Sequence, residues 1–234
     1  MKYCLLFFLI LTQGVKAQIS KSKENNFSND NTKPTVIYVL KYYYPEEPEK
    51  IISTRAYSRS KNKDGSFCMI DYDPNNMNKP TYSSCFDTNG IPTQAGIDKE
   101  VTKIYADSIR LNFKGKDTTV LINTAIQLKD PTALWFWKHK PQLNETVTVG
   151  GIRKNFITKT IDLVSVAYTY MGEEKIEVLG KMKTCYLVKS VPLNGSKGVY
   201  DERWFDEQGM LVKEKHVVGK DGIRIAELSE IVNK

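Results

Sequence analysis

The sequence is poor in the residues that most often carry chemistry. Its 234 residues include two histidines, His139 and His216, and four cysteines, Cys4, Cys68, Cys85 and Cys185. The histidines have no His-x-x-x-His spacing, so they neither chelate a metal together nor, with Cys185 and Asp206, define a triad. No metal, cofactor or catalytic residue is therefore expected, and the chain is read as a non-enzyme. Nowhere is there an apolar run of the roughly 20 residues that a membrane-spanning helix needs. The formal charge of +7 is spread as single lysines, without an arginine cluster or an aromatic-basic face. That distribution argues against nucleic-acid binding and fits solvated strand faces.

What is present begins with a secretory pattern. Lys2 gives a positive start, Leu5 to Leu11 form an apolar core, and Val15-Lys16-Ala17 supplies small residues at the cleavage positions. Residues 1–17 are read as a signal peptide, which places the mature chain in a periplasm or outside the cell. Cys4 lies before the cleavage point and follows no lipoprotein-type lead. Cleavage leaves 32 of the 34 basic residues against 27 acidic ones. In an oxidising compartment Cys68 and Cys85 are the candidate disulfide pair, and Cys185 is read as a buried small hydrophobe.

Residues 18–34 have almost no apolar content and read as a flexible leader to one β-rich domain, 35–234. Within it, β-branched and aromatic runs alternate with Gly, Asn and Asp turns, giving about a dozen strands. The strongest local signal is the pair 200–205 and 210–218, joined by Asp206-Glu207-Gln208-Gly209 as a hairpin. Residues 71–96 are rich in Asn, Pro, Asp, Ser and Thr and read as a long surface excursion with one short strand at 81–86. The Asp71 to Asn76 stretch resembles the start of a calcium loop, but Asn76 stands where Gly is needed and Tyr82 where Glu would close the site. Gly150-Gly151 and Met171-Gly172-Glu173-Glu174 read as turns, and 159–170 as a central strand.

One helix start is persuasive. Asp130 can cap the first free amides and Pro131 suits the first helical position, so a short helix is expected over Thr132 to Trp137. Leu134, Trp135, Phe136 and Trp137 would give it a large aromatic surface. Across the hairpin region, Tyr186, Trp204 and Phe205 are the matching aromatics. These seven are the candidate ligand-binding residues, with strand alternation placing Trp204 and Phe205 on opposite faces, one inside a concavity and one outside.

The order of these segments resembles a known plan. Asp130-Pro131-Thr132-Ala133-Leu134-Trp135-Phe136-Trp137 is followed by Lys140-Pro141-Gln142-Leu143-Asn144-Glu145-Thr146-Val147 and a long strand. Lys175 to Val188 comes next, then Arg203-Trp204-Phe205, a turn, and Met210-Leu211-Val212-Lys213. This is similar to secreted bacterial β-proteins of uncharacterised role that share a plan with LolA/LolB-like outer-membrane lipoprotein carriers. The likeness covers about 130–215. It implies a mainly β fold, a single curved antiparallel half-barrel with a short helix packed on its concave face, and a concavity able to hold a lipid or other amphipathic ligand. The competing expectation is a structural or protein-interaction module of the cell envelope with a filled core and an envelope protein as partner.

Overall fold

The computed structural model describes residues 36–96, 102–104, 108–113, 116–121, 141–155, 160–193, 197–219 and 222–234. All belong to one compact unit, Pro34–Lys234; the other, Met1–Lys33, holds the expected signal peptide and leader and lies outside the described residues. The same is true of the expected helix over 132–137 and of His139. Among the described residues there is no helix.

Among the described residues fourteen strands form a single antiparallel sheet. They are β1 Val36–Tyr43, β2 Ser53–Lys61, β3 Phe67–Asp73, β4 Asn76–Phe86, β5 Pro92–Ala95, β6 Thr102–Ile104 and β7 Ser108–Phe113, followed by β8 Lys116–Leu121, β9 Thr146–Asn155, β10 Thr160–Val178, β11 Lys181–Pro192, β12 Val199–Phe205, β13 Leu211–Val218 and β14 Ile223–Asn233. The spatial order is β8-β7-β6-β5-β4-β3-β2-β1-β14-β13-β12-β11-β10-β9. Two meanders thus run outward from a central pair, β1 with β14, and end, among the described residues, at the edge strands β8 and β9. The sheet is open.

Three hairpins share one turn. Asn62, Asp87 and Asp206 each receive a hydrogen bond from the amide of the glycine three residues on, and each donates its own amide to the residue four on. In the two aspartate turns the side chain adds two more bonds: Asp206 Oδ1 accepts from the amides of Gln208 and Met210, and Asp87 Oδ1 from those of Asn89 and Ile91. The Asp-x-x-G pattern is what makes these turns readable.

The polar segment 71–96 is corrected by the structure. It is mostly strand: β4 is 11 residues long and β5 follows it in register with Ser84 and Cys85. Its composition reflects exposure, since six of the first seven residues of β4 are exposed. A polar strand face pairs through its backbone as well as an apolar one. Asp73 Oδ1 accepts from the Asn75 amide in the short turn before it.

Two glycine segments read as turns are strand interior. Gly150-Gly151 lies within β9 and pairs with Ser165 and Val164 of β10. Met171-Gly172 is a bulge in β10, where the pairing with β11 skips from Tyr170 to Gly172 and Gly172 takes φ 111°. The positive φ absorbs one extra residue, and β10 runs on through the bulge to a total length of 19 residues. The reversal comes later, at Leu179-Gly180, both in the left-handed region. β10 is also second from an edge, not central.

The sheet curls strongly. β2 and β13 are separated by β1 and β14, roughly 14 Å on a flat sheet. Yet the Tyr57 hydroxyl donates to the Leu211 carbonyl at 2.8 Å, and Arg59 Nη1 to the Gly209 carbonyl at 2.7 Å. The Tyr38 hydroxyl likewise reaches Asp206 Oδ2 at 2.8 Å. The main core fills this curl: Leu40, Tyr57, Val188, Phe205, Val212 and Leu228 are among its buried members. A smaller cluster of Ile37, Val39 and Ala56 lies on the reverse face of β1 and β2, packed against Tyr72, Met77 and Val232.

Cys68 and Cys85 are directly opposed on β3 and β4 and form a disulfide. Cys185 is free and buried.

Candidate functional site

Strand alternation decides which side chains enter the curl. On β2, Arg55, Tyr57 and Arg59 are two apart and point the same way. On β12, Arg203 and Phe205 share that face. β13 contributes both Leu211 and Glu214, three apart, because its pairing with β12 shifts between Trp204 and Phe205 and so changes which residues face inward. These side chains, with Met69, Phe86, Tyr168, Gly209 and Met210, line one pocket of about 280 Å³. It sits where β2, β3 and β4 come round to face β10, β12 and β13.

The pocket has two characters. Met69, Phe86, Phe205, Met210 and Leu211 give an apolar wall, and three arginines and one glutamate give a charged one. Arg203 is the most constrained. Its Nε donates to Glu214 at 2.9 Å, Nη2 to Asp201 at 2.8 Å and Nη1 to Ser190 Oγ at 3.5 Å. Burial works against its charge, but Glu214 and Asp201 outweigh that and hold the guanidinium above the ordinary arginine range. Arg55 donates through Nε to Asp71 at 2.6 Å, which likewise overrides desolvation. Arg55 also lies 5.1 Å from the Tyr57 ring centre, and Arg59 lies 4.9 Å from that of Phe67. Such stacking fixes a guanidinium plane and leaves its edge for hydrogen bonding.

Asp201 is the common acceptor of a small network. It takes Arg203 and Ser190 on Oδ2 and the His216 Nδ1–H on Oδ1. The Ser190 hydroxyl is turned to Asp201 at 3.2 Å and so is not placed as a nucleophile on the imidazole. Among the described residues, no three His, Cys, Asp or Glu converge as a metal centre requires.

The expected site residues are dispersed. Phe205 lines the pocket. Tyr186 is half-buried, with its ring 6.3 Å from Tyr170. Trp204 turns the other way, and its indole N–H donates to Glu174 at 2.7 Å. The inside-and-outside division of Trp204 and Phe205 needs correction in one respect, because both are only 7% exposed. Trp204 belongs to the same main core cluster as Phe205 and has Lys213 over its ring at 5.8 Å. Leu134 to Trp137 lie outside the described residues.

Asp206 serves structure, as the turn cap and the Tyr38 acceptor. Cys185 is wholly buried, and burial with the nearby Asp206 pushes its thiol up to about 11. The pocket arginines Arg55, Arg59 and Arg203 were not legible as a site. Their one sequence signal is the alternation Arg55-x-Tyr57-x-Arg59, which places two cations and an aromatic on one strand face.

Comparisons with known proteins give likeness of fold. No family model and no curated protein matches the chain. Among solved structures, a β-barrel-like protein of the DUF1849 domain of unknown function from Brucella abortus matches with a TM-score of 0.53 at 9% identity, covering 86% of this chain and 98% of that one. The hypothetical lipoprotein YmcC from Escherichia coli matches with a TM-score of 0.40 at 11% identity, covering 86% and 83%. A Vibrio parahaemolyticus domain named for outer-membrane lipoprotein sorting is a weaker match, with a TM-score of 0.21 at 11% identity over 86% and 84%. The chain shares the fold of the Brucella protein, a single open antiparallel sheet of β-barrel-like form.

Proposed function

We propose that this chain is a non-enzymatic envelope protein, exported to a periplasm or beyond, that holds an amphipathic ligand in the curl of its half-barrel sheet. The observation that carries the reading is the pocket of about 280 Å³ with an apolar wall and a guanidinium wall. Ligand sites are concave, mostly apolar and furnished with a few fixed polar groups. The volume lies just under the usual range for a whole small ligand, so it suits a polar head with the first part of a chain. Export is supported by the secretory pattern of residues 1–17 and by the Cys68–Cys85 disulfide, which belongs to an oxidising compartment.

Native mass spectrometry of the protein purified from the envelope, with organic extraction of whatever it carries, tests the reading. A bound amphiphile is expected; a protein that is empty and has no affinity for fatty acids or lipopeptides contradicts it. A second reading, a protein-interaction module, is favoured by one observation: among the described residues the sheet ends at β8 and β9, each paired on one side, and the other side of such an edge can receive a partner strand. Cross-linking in the native envelope that recovers a recurrent protein through 116–121 or 146–155 would favour it.

A further inference from the structure

We infer that the outer face of the sheet, where β10 to β14 reach the rim beside the β13–β14 turn, rests on a lipid surface that carries anionic headgroups. The inference stands on this face and does not depend on whether the pocket is filled. Arg203 and Glu214 point into the curl, so residues one place along their strands point outward. On that outward face the pairing builds an apolar row across five strands. Ile223 of β14 is opposite Val217 of β13, which is opposite Tyr200 of β12. Val191 of β11 stands next, since Ser190 before it pairs with Asp201, and Val191 is opposite Ala167 of β10. All five are at least partly exposed, Val191 at 37%, and Leu193, two residues further toward the rim, is 53% exposed.

The rows behind supply the charge. Two residues back from the rim row, roughly 7 Å along the strands, come Lys215, Glu202 and Lys189, and behind them Lys41, Glu227 and Lys213. Glu202 pairs with Lys215 at 3.1 Å and Glu227 with Lys213 at 2.7 Å, which leaves Lys41 and Lys189 as a cationic excess. Lys189 lies 4.3 Å over the Tyr200 ring. Aliphatic side chains at the edge, a tyrosine among them and lysines behind match the depth of a bilayer surface, where apolar groups enter the acyl boundary by about 5–10 Å and lysines meet lipid phosphates. A second copy of the chain is a poorer occupant, because a row of roughly 19 Å by 7 Å is a small part of the ~800 Å² per partner that a stable interface buries. Glu46, Glu47 and Glu49, in the turn after β1, bound the contact on that side, since they repel the same headgroups.

Co-sedimentation of the full mature chain with large unilamellar vesicles is the test, with phosphatidylcholine alone and with about 30% phosphatidylglycerol added. Binding to the anionic vesicles is expected to be about ten or more times tighter than to the neutral ones. Val191→Glu and Leu193→Glu are each expected to weaken it about tenfold, and Lys189→Gln about fivefold, the effect of one lysine near an anionic surface. Met182→Glu, at an exposed apolar site on the β10–β11 hairpin, is the control and is expected to bind like the parent, with circular dichroism confirming that each variant folds. Equal affinity for the two vesicles, binding to neither, or a preference unchanged in both Val191→Glu and Leu193→Glu overturns the inference. Loss in Met182→Glu alone moves the contact to the hairpin and overturns it too. A dimer in sedimentation velocity that Val191→Glu disperses assigns the row to a second copy, which also overturns it.

Discussion

The Tyr57 hydroxyl donates to the Leu211 carbonyl at 2.8 Å across two intervening strands, and this bond holds one side of the curl to the other. Tyr57 is 2% exposed, so the bond has little competition from water. Burial also pushes the hydroxyl well above the ordinary tyrosine value, with Arg55 opposing; it stays protonated and a donor throughout the neutral range. Tyr57→Phe removes the donor and leaves a carbonyl without it. The expected loss is about 1–2 kcal/mol, read as a lower urea midpoint at unchanged slope. An unchanged midpoint would show that the curl is held elsewhere.

The reversal between β10 and β11 places Leu179 at φ 51° and 44% exposed. A two-residue hairpin loop favours Asn followed by Gly, because Asn tolerates the left-handed region and leucine does not. Leu179→Asn is expected to stabilise the protein by about 0.5–1 kcal/mol, and Gly180→Ala to destabilise it, since Gly180 has φ 74°. Chemical denaturation of the two variants checks both signs.

Cys185, the free cysteine among the described residues, tests the buried reading. Its value rises from 9.0 to about 11, first through burial and then through Asp206. A group whose folded value is raised contributes stability that is complete below its unfolded value and is lost as pH climbs through the folded one. Iodoacetamide at pH 8 is therefore expected to leave the native thiol unmodified and to alkylate it rapidly in 8 M urea, with the disulfide left oxidised. Fast native labelling would place Cys185 at the surface.

Glu227 governs part of the acid response. Burial alone would raise its carboxyl, but hydrogen bonds from Lys213 and Tyr43 outweigh this and hold it below its ordinary 4.5. Because the folded value is depressed, the contribution is present above about pH 4.5 and is lost as pH falls through the folded value. Glu227→Gln is expected to lower the urea midpoint at pH 7 and to leave it nearly unchanged at pH 3. The side chain is 43% exposed, so the difference is held to about 1 kcal/mol or less. An equal effect at both values would assign the loss to packing.

Local chemistry made part of this fold readable. Asp206 to Gly209 announced its hairpin because the turn needs an acceptor side chain first and a left-handed residue fourth, and both are in the sequence. The strands β4 and β5 were obscured because exposed strands need no apolar alternation; the pairing of β4 with β3 and of β5 with β4 reveals them. Gly172 misled for the opposite reason, since the positive φ that suits a turn also suits a bulge. The pocket was the least legible feature. It joins Arg55 and Arg59 to Arg203 and Met210 through pairings about 150 residues apart in sequence, and no local pattern records the β1–β14 pairing that brings them round.

Six methionines offer a direct readout of where a ligand sits. Met69 and Met210 line the pocket, whereas Met171 and Met182 are exposed elsewhere, at 41% and 66%. In the protein labelled with 13C at the methionine methyls, titration with laurate is expected to shift the Met69 and Met210 resonances together, to saturation, while Met171 and Met182 stay in place. Movement of Met171 or Met182 alone, or of none of the four, would contradict the account that the curl of this sheet is a ligand site.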